Sequence, residues 1–306
     1  MTVSARTYPI GTPGVPWGET ERSAWLAQRE HLRSYESDVL SVIQGLQGRC
    51  TVIRYGQLDY GTRHYPLYAV KSAGWRQDLP VALVTGGVHG YETSGVHGAL
   101  RFAQEHMARY EGRINIVVAP CVSPWGYETI QRWNPQALDP NRSFRHNSPA
   151  GESAALLRLL ASVHEQVLVH VDLHETTDTD ESEFRPALAA RDGVAFVPDV
   201  IPDGFYLVDD TETPHTDFQS AIIEAVARVT HIAPPDPQGR IIGAPVVAPG
   251  VIQYATRSLG LCAGITDAVF RSTTEVYPDS PTANPEQCIQ AQVTALRAAI
   301  DFALAN

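Results

Sequence analysis

The chain has 306 residues, of which 43% are hydrophobic, and this is enough to bury the core of one large domain. Its net charge of −11 argues against a nucleic-acid partner, because a surface that binds phosphates needs clustered Lys and Arg side chains. No stretch approaches the ~20 consecutive apolar residues that cross a bilayer, and residues 1–17 lack the apolar centre of a targeting signal.

These features predict a cytoplasmic protein with no membrane partner and one domain, 1–306, in which residues 1–79 form an N-terminal part of helix and strands. The four cysteines are far apart and form no Cys-x-x-Cys pair, which predicts free, mostly buried thiols rather than disulfides or a thiolate metal site. These cysteines are Cys50, Cys121, Cys262 and Cys288. The oligomeric state stays open.

Helical and extended patterns alternate along the chain, which favours a mostly parallel sheet covered on both faces. Residues 20–46 predict one long amphipathic helix with Trp25, Leu32, Val39 and Ile43 in the core. The remaining predicted helices are 91–110, 152–164, 217–231 and 285–304. The predicted strands are 50–55, 64–70, 81–84, 114–120 and 166–173, with short pieces near 241 and 251 and one approaching 275.

Two long segments without periodicity, 120–150 and 176–215, are predicted to be loops. Loops of this length within compact domains are usually functional. The acidic start of the second segment, TTDTDESEF, is interpreted as a solvated rim.

The segment VALVTGGVHGYE (81–92) has the pattern of half a metal site. A short apolar strand breaks at two glycines and is followed by His89 and Glu92 where a helix begins, so both side chains lie on one side of the first turn. Open α/β folds place their ligands at this carboxyl edge of the sheet. A His-x-x-Glu motif alone is weak, and a satisfied histidine beside a capping carboxylate is its structural alternative.

A second apolar strand, VLVHVDLHE, supplies the missing half. Alternation places His170, Asp172 and His174 on one face, and His174 lies at the carboxyl end, level with His89 and Glu92. Two imidazoles and one carboxylate are the usual ligands of a catalytic zinc ion. Asp172 is a candidate acceptor for a ring N–H of a ligand, and His170 is interpreted as a buried strand histidine satisfied by backbone.

Five motifs in this order resemble the zinc carboxypeptidase family of the carboxypeptidase A type, above all its bacterial branch. They are GGVHGYE (86–92), SPWGY with QRWN (123–134), DPNRSF (139–144), VDLHET (171–176) and STTEVYP (272–278). The resemblance covers about residue 80 to the end and implies a three-layer α/β/α sandwich around a mixed, mostly parallel eight-stranded sheet. The Glu-Thr after His174 is closer to the succinylglutamate desuccinylase and aspartoacylase relatives.

The resemblance implies one Zn²⁺ ion bound by His89, Glu92 and His174. It also implies that Asn141 and Arg142 grip a substrate α-carboxylate, and a guanidinium fork suits this because it makes two parallel hydrogen bonds to a carboxylate. Arg132 corresponds to the arginine that stabilises the oxyanion. The alternative for each arginine is a surface ion pair.

The family's general base is a glutamate on a late strand, and Glu275 in STTEVYP fits this place before the last helix. Asp267 competes, because it also follows an apolar stretch. The implied reaction is metal-assisted amide hydrolysis, with Glu275 as base and Arg132 stabilising the oxyanion.

Three functions remain open on the sequence. The first is a zinc metallocarboxypeptidase acting on a peptide or cell-wall peptide, the second an N-acyl amino acid deacylase, and the third a catalytically silent protein that keeps the metal to bind peptides. The specificity residue and a second metal are also open. The candidates are Tyr206, Asp209, Asp210, Tyr254, Arg240 and Arg257 for the pocket, and Asp178 and Asp180 for the second metal.

Overall fold

The fold is built on an eight-stranded mixed sheet, seen in a computed structural model that describes residues 8–163 and 166–306. A separate two-stranded hairpin lies outside this sheet. The strands are β1 (Thr51–Tyr60), β2 (Arg63–Lys71), β3 (Val81–Gly86), β4 (Asn115–Ala119), β5 (Val167–Glu175), β6 (Tyr206–Asp210), β7 (Arg240–Ile241), β8 (Ala244–Pro245), β9 (Val251–Tyr254) and β10 (Phe270–Val276).

The strand order in the large sheet is β1-β2-β4-β3-β5-β10-β6-β9. The central strands β4, β3, β5 and β10 are parallel, so their carboxyl ends share one edge. The β1–β2 hairpin adds antiparallel strands on one side, and β6 pairs antiparallel with β10 on the other. The predicted mixed, mostly parallel α/β architecture is therefore confirmed.

Helices cover both faces of the sheet. They are α1 (Glu19–Leu26), α2 (Ser41–Gln44), α3 (Thr93–Glu105), α4 (Pro124–Thr129), α5 (Gly151–Ala161), α6 (Arg185–Asp192), α7 (Thr216–Val226) and α8 (Pro285–Ala305). The predicted end of one helix at residue 164 lies outside the described residues. No helix among 8–163 and 166–306 combines the length and apolar character that a bilayer span requires.

The period-2 alternation of β3 assigns its side chains to two cores. Ala82 and Val84 pack into the large core with α3, α7 and α8, whereas Val81 and Leu83 pack into a smaller core with Leu156 of α5. Both faces are therefore apolar, as expected for a central parallel strand. All four cysteines are free and three of them are buried, as predicted.

The prediction of one helix over 20–46 is wrong. Helix α1 ends at Leu26, an irregular stretch follows, and a single π-helical turn, Glu36–Leu40, leads into α2. The backbone N–H groups of Leu32 and Tyr35 donate to Glu128 instead of to a preceding helical turn. Leu32 is consequently 62% exposed, although the other three predicted core residues of this segment are buried.

The two predicted loops contain regular structure. Helix α4 lies in the first, and α6 and strand β6 lie in the second. The acidic start of the second segment is also not simply a solvated rim, because Asp180 and Phe184 are buried there. Strand β6 places Tyr206 against Glu275 of β10, which brings this segment to the site.

Candidate metal centre and cavity

The candidate site lies where β3, β5 and β10 end. His89 follows β3 in a loop, Glu92 immediately precedes the first residue of α3, and His174 and Glu275 lie near the ends of β5 and β10. The parallel register places Glu275 directly opposite His174. This is the carboxyl edge at which open α/β sheets bind ligands.

Glycines shape the loop that carries the first two residues. Gly87 has φ +59°, a left-handed conformation that costs glycine little. Gly90 approaches the neighbouring segment so closely that a Cβ atom there would lie 2.1 Å from the backbone nitrogen of Tyr127. The loop therefore reverses sharply and returns Glu92 toward His89.

His89, Glu92 and His174 form a buried cluster whose ligand atoms all lie within 4.8 Å of one another. The Glu92 carboxylate bridges the two rings, with Oε1 2.8 Å from His89 Nδ1 and Oε2 2.7 Å from His174 Nδ1. Oε2 is buried without a hydrogen bond of acceptable geometry. Two imidazoles, one carboxylate and an unsatisfied oxygen fit a tetrahedral divalent ion with one position left open.

Carboxylates hold the outer nitrogens of both rings. His89 Nε2 lies 3.0 Å from Asp139 Oδ1, and His174 Nε2 lies 2.7 Å from Asp172 Oδ2. Such partners fix the ring orientation and leave the opposite nitrogen free for a metal. The predicted role of Asp172 agrees with this contact, and Asp139 is a second residue of the same kind.

The charges within the cluster favour the ionised forms of Glu92 and His174. Burial alone would raise the pKa of Glu92, but the two neighbouring imidazoles lower that pKa to about 2. Burial likewise opposes the charge on His174, yet Glu92 and Asp172 raise its pKa well above the usual value. A bound cation would take the place of the proton on His174 and keep the charge of Glu92 balanced.

Glu275 lies at the wall of the adjacent cavity and accepts a hydrogen bond of 2.9 Å from Thr176 Oγ1. The same hydroxyl lies 2.7 Å from the hydroxyl of the fully buried Tyr206. Burial raises the pKa of Glu275 to about 8. Such a carboxyl group can exchange a proton near neutral pH.

The competing base, Asp267, is remote from this arrangement. Its side chain is 93% exposed and pairs with Arg257 at 2.6 Å. Neither residue lines the cavity. The geometry therefore favours Glu275 of the two candidates.

The cavity has a volume of about 490 Å³ and is lined by His89, Glu275, Arg132 and Arg142. Arg132 pairs with Asp139 at 3.1 Å and with Asp180 at 3.3 Å. It is thus fixed by two carboxylates rather than being a loose surface ion pair.

Arg142 differs, since its Nη1 donates to the carbonyl of Asn141 and no carboxylate among the described residues lies within 4.0 Å. Burial lowers its pKa. Arg142 lines the cavity, where its guanidinium can bind an anionic group. Asn141 also lines the cavity, but its amide oxygen accepts from Cys262 N and its Nδ2 lies 3.3 Å from His174 Nε2.

Of the candidates for the pocket, only Tyr206 and Tyr254 line this cavity. Asp209 accepts hydrogen bonds from Gln219, and Asp210 pairs with Arg271 at 2.7 Å. Arg240 is an exposed residue of β7 outside the cavity. These carboxylates and Arg240 are therefore not placed to select a substrate side chain here.

One further expectation differs from the structure, and the two residues considered for a second metal have other partners. His170 is satisfied by hydroxyls rather than backbone, with Thr85 Oγ1 3.2 Å from its Nε2 and Thr266 Oγ1 3.4 Å from its Nδ1. Asp178 and Asp180 have separate partners, Tyr277 and Tyr91. Within the described ranges, the His89 cluster is the only group of three or more potential metal ligands.

Two supporting residues, Asp139 and Thr176, carry no assigned role in the sequence patterns, and a third, Asp180, has a role other than the one considered for it. Asp139 contacts both His89 and Arg132, Thr176 orients Glu275, and Asp180 accepts from Tyr91 and Arg132. The Asp-Pro of DPNRSF is a local signal for Asp139, because Asp commonly caps a turn that Pro begins. Its backbone geometry agrees, since Asp139 accepts from Asn141 N.

The chain is similar to known proteins in part of its sequence and in its fold. Residues 78–191 match the succinylglutamate desuccinylase/aspartoacylase catalytic domain. The matched segment contains the three potential metal ligands, Arg132, Asn141 and Arg142, and ends before Glu275. A search of curated proteins finds no match.

Solved structures share the fold. A Shewanella amazonensis protein named as a candidate metallopeptidase has 20% identity and a TM-score of 0.66 over 90% of this chain and 98% of its own. A metallo-carboxypeptidase from Burkholderia cenocepacia has 15% identity and a TM-score of 0.58 over 95% and 70%. Carboxypeptidase A from Helicoverpa armigera has 11% identity and a TM-score of 0.56 over 95% and 74%.

At these identities the structural likeness establishes the fold. Together with the match of 78–191, it confirms the resemblance to carboxypeptidase-like proteins with desuccinylase relatives. The match of 78–191 and the shared fold favour a hydrolase of the carboxypeptidase or desuccinylase/aspartoacylase type.

Proposed function

We propose that this protein is a zinc-dependent metallocarboxypeptidase that hydrolyses the C-terminal amide bond of a peptide or cell-wall peptide. One observation carries the proposal: His89 of the candidate metal centre, Glu275 and Arg142, which has no carboxylate within 4.0 Å in the described part of the chain, line the same cavity. A metal site, a base and an anion receptor at one cavity are the parts that amide hydrolysis next to a free carboxylate requires.

The bound substrate would be held by its terminal α-carboxylate at Arg142, which can form two parallel charge-assisted hydrogen bonds to it. Asn141, fixed by Cys262 N, would support this contact. A zinc ion held by His89, Glu92 and His174 would polarise the scissile carbonyl and lower the pKa of water.

Glu275 would then accept the proton of the attacking water and return it to the leaving amine. Thr176 holds one carboxyl oxygen of Glu275 and leaves the other for this transfer. Arg132 would stabilise the negative charge that develops on the carbonyl oxygen. Its own position is fixed by Asp139 and Asp180.

A second candidate is an N-acyl amino acid deacylase. The match of 78–191 to the desuccinylase/aspartoacylase domain favours it, as does the Glu-Thr that follows His174. Both reactions use the same metal ligands and base, and they differ in what precedes the scissile amide. The choice therefore depends on the acyl side of the substrate.

The deciding experiment supplies the zinc-loaded protein with three substrate sets. These are peptides with a free C-terminus, the same peptides amidated at the C-terminus, and N-acetyl amino acids. We expect release of the terminal amino acid from free peptides alone, and its loss after chelation with recovery on adding Zn²⁺.

Turnover of N-acetyl amino acids without peptide turnover would establish the deacylase instead. Peptide binding without any release would favour the catalytically silent alternative. Equal hydrolysis of amidated and free peptides would contradict the proposed role of Arg142.

A further inference from the structure

The turn between β7 and β8 has a backbone conformation that its first residue disfavours. Ile241 pairs with Ala244, so Ile242 and Gly243 form a two-residue hairpin loop. Both have positive φ, +42° at Ile242 and +76° at Gly243. Hairpin turns of this kind strongly favour Asn-Gly or Asp-Gly, and a β-branched residue at positive φ is an outlier.

The strained residue reaches the catalytic cavity. Ile242 lines it and packs against the small apolar cluster that contains Tyr206 and Val208, and Tyr254 packs against the same cluster. Tyr206, Val208 and Tyr254 line the cavity as well, so together with Ile242 they form a largely apolar wall.

This wall adjoins the proposed anion receptor. Arg142 lines the same cavity as Tyr254, Ile242 and Glu275. A residue that binds Arg142 through its α-carboxylate would place its side chain in the cavity that Tyr254 and Ile242 line. Backbone strain in proteins clusters at ligand-binding positions, where the surrounding structure maintains it.

We propose that Ile242 is a specificity-determining residue and that the amino acid released by this enzyme carries an apolar side chain. The inference rests on the proposed hydrolysis beside a free α-carboxylate. Asn in place of Ile242 would suit the turn better, but it would present a polar amide to the substrate instead of a branched apolar surface.

The test compares Ile242→Asn with Ile130→Asn, which makes the same substitution at another positive-φ isoleucine. Ile130 has φ +53° at the end of α4 and lies outside the cavity. Each zinc-loaded variant is assayed for kcat/KM on paired peptides that end in Leu or Ala, and its Tm is recorded. Alanine is the substrate control because it reaches the wall with only a methyl group.

We expect Ile242→Asn to lower the Leu-to-Ala ratio of kcat/KM by about tenfold or more. In an apolar pocket, one additional methylene on the substrate changes kcat/KM by about 10-fold or more. Ile130→Asn should keep the wild-type ratio. Relief of the backbone strain should keep the Tm of Ile242→Asn at or above that of the wild type.

An unchanged ratio in Ile242→Asn would overturn the proposal, and a lower Tm with that unchanged ratio would identify Ile242 as a packing residue. If the wild type releases nothing from any peptide, the proposed carboxypeptidase function fails separately. The ratio for N-acetyl-leucine and N-acetyl-alanine then tests Ile242 in the deacylase reaction. A wild-type preference for Ala over Leu would also overturn the inference.

Discussion

Glu275 lies directly beside His174, because β10 and β5 are parallel neighbours with these two residues in register. Adjacent strands are about 4.8 Å apart, so the carboxyl group and the imidazole project side by side from the same edge. Two residues beyond His174, Thr176 donates a hydrogen bond to Glu275. The strand that supplies a proposed metal ligand therefore also orients the proposed base.

The role of Glu275 predicts a specific loss in Glu275→Gln. Glutamine keeps the shape and can still accept from Thr176, but it cannot take a proton. We expect kcat to fall by about 10²–10⁴-fold, with zinc content unchanged. Steady-state kinetics and metal analysis of the purified variant measure the two quantities.

Asp267→Asn is the matched control, since the exposed Asp267 carboxylate pairs with Arg257 away from the cavity. Its kcat should equal that of the wild type. Near-normal turnover in Glu275→Gln would contradict the assignment of the base.

The contact between Asp172 and His174 predicts that substitution of Asp172 lowers the affinity for zinc. Asp172 accepts from His174 Nε2 at 2.7 Å, and its other oxygen accepts from Thr85 at 2.6 Å. Asp172→Asn should weaken zinc binding by about 10–100-fold, because the ring loses the carboxylate that orients it and raises its basicity. Competition with a chromogenic chelator measures the affinity.

Asp209→Asn separates metal affinity from general destabilisation. Asp209 is also a buried, hydrogen-bonded aspartate, but its partners are Gln219 and the backbone of His215. We expect the zinc affinity of this variant to match the wild type. Equal zinc affinity in both variants and the wild type would show that Asp172 does not support the ligand.

The cluster of His89, Glu92 and His174 was predictable because its signals are local. An apolar strand followed by glycines and a His-x-x-Glu defines one half, and a strand ending in His174 defines the other. Parallel strands bring such ends to a common edge without further information. The sheet order and the pairing of β3 with β5 then complete the cluster.

The failed predictions depend on contacts between distant segments. The helix over 20–46 is interrupted where Tyr35 N donates to Glu128, 93 residues away. Strand β6 ends in Asp209 and Asp210, which resemble loop residues until Gln219 and Arg271 satisfy them. Local periodicity contains no information about such partners.

The position of Arg142 in the cavity, without an ion-pair partner among the described residues, predicts selective recognition of a terminal carboxylate. Arg142→Ala should reduce kcat/KM on peptides with a free C-terminus by about 10²-fold or more, since hydrogen bonds to charged groups contribute about 1.5–3 kcal/mol each. The residual activity should no longer distinguish free from amidated peptides. Kinetics on the paired peptides measure this ratio.

Arg158→Ala on the exposed side of α5 is the control for loss of a positive charge. It should retain the wild-type preference for a free C-terminus. A preserved preference in Arg142→Ala would mean that another group binds the carboxylate.

The buried position of Glu275 predicts how the metal-free protein responds to pH. Burial raises the pKa of Glu275 from 4.5 to about 8, so the folded protein keeps a proton that the unfolded chain has already released. This contribution to stability is complete below about pH 4.5 and is lost as the pH rises through about 8. Glu275→Gln does not ionise and avoids this loss. In excess EDTA, the two proteins should therefore have similar free energies of unfolding near pH 4, and the variant should be more stable by a few kcal/mol near pH 9. Chemical denaturation across this range measures the difference, and parallel stability profiles would show that Glu275 has an ordinary pKa in the folded protein.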